Sequence, residues 1–197
     1  MQLTELVAKY GGVAGTNAGG FNDENGRGNG GVPQGLVISG GALLHTARED
    51  ERYNVVGFDA DHILHVGTMT ADEALEPGLT DAVSFRTHDG LASSLIINGE
   101  VQSKNLGGGV NPRTAIGQCA DGSVLLLVLD GRSINTLGAT MQDVADIMLE
   151  YGAVNAGNLD GGSSSVMVYD GEIINNCASV TGPRNIPTAF IVLPEGD

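Results

Sequence analysis

A chain of 197 residues with 41% hydrophobic content is long enough for one domain with a proper core and short for two. Its formal charge of -15 and pI near 4.3 exclude general attraction to nucleic acid or to an anionic membrane surface, because the long-range field repels both. Tryptophan is absent and aromatic residues make up 4%, which argues against an aromatic sugar-binding platform or a base-stacking surface.

Leu3, Leu6, Val7 and Tyr10 recur at helical spacing and are followed by Gly11-Gly12, which predicts a short first helix with a glycine C-cap. Val13 to Phe21 reads as a buried strand running into a glycine turn, with Asn17 at its end. Asn22 to Gly31 has no periodicity and is a loop, read equally well as a lid beside the strand end or as a surface excursion. Pro33 to Gly41 resumes as strand and turn. Tyr53 to Phe58 and Ile63 to Val66 alternate as two strands of a meander, with Asp59 and Asp61 as turn residues between them. A Thr70-x-x-Glu73 capping box opens a short helix that ends before Pro77. Val83 to Arg86 and Leu95 to Ile97 are expected strands, the second closed by Asn98-Gly99. His45, His62, His65 and His88 are scattered singly and read as surface or strand histidines rather than catalytic bases, since the sequence places no nucleophile or partner acid with any of them.

Lys104 to Asn111 forms a second glycine-rich loop and delivers Pro112-Arg113-Thr114. The continuous apolar run Val124 to Leu129 predicts a central strand buried on both faces, ending in the polar triplet Asp130-Gly131-Arg132. Thr140 caps a helix whose Val144, Ile147, Met148 and Tyr151 share one face, with Gly152 closing it. Val154 to Leu159 is followed by a hairpin of Val166 to Tyr169 and Glu172 to Ile174 about Asp170-Gly171, and Thr188 to Leu193 is a closing strand. Cys119 and Cys177 are expected as free thiols, and the absence of a CxxC or Cys/His spacing argues against structural zinc. The first residues carry neither a basic n-region nor an apolar h-region, and no apolar run is long enough to span a bilayer.

The stretch Asn158-Leu159-Asp160-Gly161-Gly162-Ser163-Ser164-Ser165 is the strongest site signal. Paired glycines let a ligand approach the backbone, and successive N–H groups in such a turn can form a nest for an anion into which Asp160 would project. A type I′ hairpin turn accounts for Asp160 and Gly161, but it does not call for Gly162 or the three serines. On so acidic a chain an anionic substrate must be met by local cations. After Lys104 the chain has no lysine and only Arg113, Arg132 and Arg184, whose guanidinium forks suit phosphate or carboxylate.

In order along the chain, Asn17-Ala18-Gly19-Gly20-Phe21, Pro112 to Gln118, Asp130-Gly131-Arg132, Gly138-Ala139-Thr140, Asn158 to Ser165 and Arg184 to Ala189 resemble the motifs of the phosphodiester glycosidase family. The resemblance covers most of the chain from about Val13 onward and points to a bacterial member. Two features depart from the family pattern: the chain starts almost at the asparagine motif, and Phe85 to Leu91 replaces a Gly-Pro-type stretch.

The fold expected is α+β: a single domain over residues 1–197, cut from a longer chain, with a mixed β-sheet core, a few flanking helices and strands ending at Asn17, Asp130 and Asp160 in one cleft. The resemblance implies hydrolysis of a sugar-1-phosphodiester, such as an N-acetylglucosamine-1-phosphate diester, to free sugar and a phosphomonoester. Phosphodiesterase cleavage at phosphorus and a non-catalytic phosphoglycan-binding module are the alternatives. Because a phosphomonoester leaves as a weakly basic anion, positive charge on its oxygens counts for more than a strong general acid. The catalytic candidates are Asp160, then Asp130, with Arg113 and Arg184 as the phosphate clamp and Arg132 orienting Asp130. Asn17, Gly19, Gly20, Thr114, Arg132, Gly161, Gly162, Ser163, Ser164 and Arg184 are the substrate-binding candidates. No cofactor is required on this reading, and a calcium or magnesium ion stays open. The partner expected is a phosphorylated glycan or a sugar-1-phosphodiester substrate, with no nucleic acid and no membrane insertion, and the parent protein is expected to be extracellular or associated with the cell envelope.

Overall fold

The computed structural model describes residues 1–23, 28–48, 50–85, 94–102 and 108–195. The first part of the chain forms α1 (Leu3–Lys9), β1 (Ala14–Asn17), β2 (Leu36–Ser39), β3 (Ala42–Thr46), β4 (Tyr53–Asp59) and β5 (Leu64–Met69). The middle forms α2 (Ala71–Leu75), β6 (Leu79–Ser84), β7 (Ser94–Ile97), β8 (Glu100–Val101), β9 (Arg113–Cys119) and β10 (Val124–Leu129). The last part forms α3 (Met141–Glu150), β11 (Ala153–Asn158), a 3₁₀ turn (Gly162–Ser164), β12 (Met167–Tyr169), β13 (Glu172–Ile173) and β14 (Ala189–Val192).

These strands make three sheets, ordered β13-β12-β1-β14, β10-β9-β11-β7-β8 and β3-β2-β6-β4-β5. The α+β class holds, and among the described residues every pairing of named strands is antiparallel rather than mixed. Each helix covers one sheet and buries its own small core. Leu3 and Val7 of α1 pack with Val166 and Val168, Ala71 and Ala74 of α2 with Leu36 and Val55, and Met141, Val144, Ala145 and Met148 of α3 with Leu95, Ile96 and Ala156. A fourth cluster lies where the sheets converge and takes one or more residues from each part: Ala18, Val56, Leu64, Val83, Ile116 and Leu159. At that junction Gly157 faces Val56, and a Cβ there would collide with the valine methyls, so the close approach of two sheets depends on this glycine.

The local signals act as read at several points. Gly11 at φ +67 ends α1, with Gly12 N–H donating to Val7 O at 2.8 Å and Gly11 N–H to Ala8 O at 3.2 Å, the paired bonds of a Schellman cap. The capping box of Thr70 and Glu73 is formed at α2, and Thr140 caps α3 with Asp143 in the reciprocal position. Asp59 closes the β4–β5 turn by accepting from the N–H groups of Asp61 and Ile63, both at 2.9 Å. Its other oxygen pairs with His65 Nε2 at 2.7 Å, and that bond is the main cause holding the Asp59 carboxyl below its ordinary range.

Four readings change. The Val124 to Leu129 run is not a central strand: β10 is a sheet edge, partly exposed along its length. Leu125, Leu127 and Leu129 lean on the α3 core while Leu126 leans on the central cluster, so the run records two covered faces and carries no information on how many strands flank it. On α3 the inward set is Met141, Val144, Ala145 and Met148, with Tyr151 69% exposed beyond the helix end. β6 begins at Leu79, ahead of the expected Val83, and the Arg86 end of that expected strand lies outside the described residues, as do His88 and the first four residues of the Lys104 to Asn111 loop. β3, unmarked by alternation, pairs with β2 through the Gly40-Gly41 turn. Cys119 and Cys177 are free thiols, each half-buried.

Candidate active site

The cleft is built around the buried side chain of Asn17, 1% exposed at the end of β1. Its Nδ2 donates to the Asp160 carbonyl at 2.6 Å, while its Oδ1 accepts from Thr114 Oγ1 at 2.9 Å and from the Val166 N–H at 3.1 Å. One amide therefore ties β1 to β9 and to both ends of the Asp160–Val166 loop. Such a bond set, made by a buried amide, fixes the loop far better than exposed contacts could. The Asp160 N–H adds a bond to Ala18 O at 2.9 Å, and the Leu159 N–H donates to Thr114 O at 2.8 Å. Asn17 and Thr114 thus lie beneath the cleft and hold its floor.

The glycine pair does not form the anticipated nest of free N–H groups. The Gly161 N–H donates to Asp160 Oδ1 at 3.0 Å, and the Gly162 N–H donates to Pro112 O at 2.9 Å. The glycines are needed for space instead: a Cβ on Gly161 would lie 2.9 Å from Pro112 O, and Gly162, at φ +63, would place one 3.3 Å from the Arg132 guanidinium. Gly19 and Gly20 are likewise structural, bonding through their N–H groups to Thr188 Oγ1 at 3.0 Å and Ser84 O at 3.2 Å.

Above this floor opens a cleft of about 390 Å³. Asp160, Gly161, Gly162, Ser163 and Ser164 form one wall; Arg113, Arg132, Arg184 and Asp23 supply the charges, with Phe21, Phe85, Gly108 and Asn111 completing the lining. Three arginines converge here in a chain of net charge -15. Their surroundings divide their roles. Arg113 is 5% exposed and gives Nε to Ala139 O at 3.1 Å and Nη2 to Gly108 O and Gly109 O at 2.9 and 2.6 Å, so it organises the loop behind the cleft. Arg184 pairs through Nη2 with Asp23 Oδ2 at 2.8 Å and reaches Ser164 Oγ with Nη1 at 3.4 Å. Arg132 has a left-handed backbone at φ +55, an uncommon conformation for a non-glycine residue, and its exposed side chain donates Nη2 to Asn111 Oδ1 at 2.7 Å while its fork lies over Gly162.

Asp130 is not in the cleft and is not oriented by Arg132. Its carboxylate accepts from Asn175 Nδ2 at 3.2 Å and from Asn176 N–H and Nδ2, both at 3.0 Å, pinning the segment that leads away from β13. Of the three strand ends, Asn17 and Asp160 meet and Asp130 stands apart.

Asp160 is partly covered by surface area yet sits deep in the wall, and burial pushes its carboxyl up to about 6. Bonds from Ser164 and the Gly161 N–H and the charge of Arg184 oppose that rise, while the charge of Asp23 adds to it. Asp23 is the residue that sequence reasoning missed. It stands beside Glu24 in an aperiodic glycine-rich loop, and its partner arginine is near the other end of the chain, so only the fold brings the pair together. Asn111, which holds Arg132, gave no signal either. Among the described residues no three His, Cys, Asp or Glu side chains gather as a metal site.

The phosphodiester glycosidase family model matches residues 10–193. The chain is 38% identical over 87 residues to the SPbeta prophage-derived uncharacterized protein YomE of Bacillus subtilis (strain 168), covering 44% of this chain and 14% of that protein. It is 36% identical over 64 residues to the N-acetylglucosamine-1-phosphodiester alpha-N-acetylglucosaminidase of Bos taurus, covering 32% of this chain and 12% of that protein. These matches span about a seventh or less of either relative. The zebrafish N-acetylglucosamine-1-phosphodiester alpha-N-acetylglucosaminidase catalytic domain, solved auto-inhibited by its pro-peptide, superposes with a TM-score of 0.77 over 98% of this chain and 67% of that one, at 23% identity. The fold is shared.

Proposed function

The chain belongs to the phosphodiester glycosidase family, and from that premise we propose that it hydrolyses a sugar-1-phosphodiester at the bond between the anomeric carbon and oxygen. The observation that carries this reading is the meeting of Asp160 with the guanidinium groups of Arg132 and Arg184 in one cleft. A phosphate needs the forks; a water attacking the sugar needs a base. With its carboxyl near 6, Asp160 is ionised at neutral pH yet more basic than an ordinary aspartate, which suits it to take a proton from water. Water adds to the anomeric carbon, the carbon–oxygen bond breaks, and the electron pair leaves with the phosphomonoester, whose oxygens face the arginines. Leaving-group stabilisation by preset charge then replaces much of the work of a general acid.

Arg132 and Arg184 take the clamp role in this reading, with Ser163 and Ser164 as hydroxyl partners, because Arg113 is buried and gives its Nε and Nη2 to backbone carbonyls. An N-acetylglucosamine-type sugar, a phosphorylated glycan as the aglycone and an extracellular or envelope setting rest on the family resemblance and belong to the same proposal. Hydrolysis in isotopically labelled water tests it: label in the released sugar is the expected result, and label in the phosphate would replace this reading by attack at phosphorus. The same assay with and without chelator decides whether calcium or magnesium takes part. Binding of the diesters with no turnover would leave a phosphoglycan-binding module.

A further inference from the structure

We propose that Asp23 is a positioning residue of this cleft: its carboxylate draws the Arg184 guanidinium onto itself and against Ser164, so that the arginine's charge is shared between the two acids and its pull on Asp160 is limited. The geometry is enclosed on both sides. Asp23 Oδ2 meets Arg184 Nη2 at 2.8 Å, with 10% and 17% of the two side chains exposed. Both Asp23 oxygens also accept the Gly28 N–H at 2.8 Å. Gly28 in turn accepts the Asn185 N–H at 3.0 Å, and Asn29 bridges Asn185. Gly28 and Asn29 are thereby fastened to the Arg184-Asn185 backbone at the point where Asp23 meets the arginine. Gly28 also packs closely on the arginine, since a Cβ there would lie 2.7 Å from Arg184 Cγ.

The consequence falls on Asp160. Among the described residues, the charged groups lining its cleft are Asp23 from the loop after β1, Arg113 from the start of β9, Arg132 from the loop after β10 and Arg184 from the segment before β14. Asp23 and Arg184 act on the Asp160 carboxyl in opposite directions, the acid favouring its protonated form and the arginine its ionised form. Neutralising Asp23 removes the first influence and releases Arg184 from its partner, and both changes favour the ionised form.

This inference uses the acid-base role proposed for Asp160, but its test does not need turnover. The titration of Asp160 is followed in the intact chain by carbon-13 NMR of the aspartate carboxyls, with the Asp160→Asn spectrum identifying the resonance. Asp23→Asn is expected to move the Asp160 midpoint to lower pH by about half a unit or more, and Asp23→Glu to restore it. The acid limb of kcat should move with it where turnover is measurable. A midpoint unchanged or raised in a folded Asp23→Asn variant overturns the proposal. If that variant does not fold, Arg184→Gln serves: the Asp160 midpoint must rise, and no rise overturns the coupling. Absent turnover with a shifted midpoint would instead count against the hydrolytic reading alone.

Discussion

In the proposed hydrolysis, Asp160 occupies a position where catalysis and stability pull in opposite directions. Its carboxyl is raised from 3.8 to about 6 in the folded chain, so between those values the native state holds a proton that the unfolded state has released. Stability from this group therefore falls as pH rises from about 4 through 6, and the loss is complete above 6. Asp160→Asn keeps the turn and removes the buried charge, so it should lower turnover by about two to four orders of magnitude. At pH 8 the same variant should be more stable by about 1–3 kcal/mol, with no gain at pH 4. Thermal melts at the two pH values, run beside the kinetics, check both; near-parent turnover removes Asp160 from the chemistry. The arginines separate in the same way. Arg132→Lys retains the charge and loses the fork, so KM for a diester should rise about tenfold with the melting temperature unchanged. Arg113→Lys breaks three donations to backbone carbonyls, and its main effect should be a loss of about 1–3 kcal/mol.

Among the elements, the junction of β4 and β11 tolerates least. Gly157 lies against Val56, both within the central cluster region, and neither sheet can withdraw without uncovering Leu159 and Ile116. Gly157→Ala should cost about 1–3 kcal/mol and lower activity indirectly, because the displaced strand ends in the Asp160 loop. Urea unfolding gives the cost, and a change within experimental error would mean that the sheets slide past one another freely. The Asn175–Asn176 segment makes a contrasting case. Asp130→Ala removes its carboxylate anchor, so the melting temperature should fall by a few degrees, about 1 kcal/mol or more, while the pH profile of kcat keeps its midpoint. A moved midpoint would return Asp130 to the acid-base chemistry.

Across the whole molecule, a net charge of -15 surrounds a cleft that concentrates three guanidinium groups. The long-range field opposes an anionic substrate while the local one attracts it, and salt screens the longer range first. Raising ionic strength from about 10 to 100 mM should therefore increase kcat/KM for a charged diester by about twofold or more, and a steady fall over that range would mean that the arginine field already dominates at a distance.

By itself the sequence determined whatever depends on near neighbours: the Gly11 cap, the capping boxes at Thr70 and Thr140, the β4–β5 turn at Asp59, and the place of Asp160 to Ser164 on a cleft wall, since no core would use that composition. Ordered motifs from Asn17 to Ala189 also carried the family. Tertiary structure alone decided which strand ends meet. Asp130 and Asp160 look alike in sequence, each a glycine-flanked acid after an apolar run, yet one is tied to Asn176 and the other lines the cleft, because β10 lies at a sheet edge and β11 inside it. The division of Arg113, Arg132 and Arg184, and the recruitment of Asp23, were equally hidden. A side chain's charge is written in its identity, but its partner is chosen by the packing of segments far apart in the chain, and that choice has no local signature.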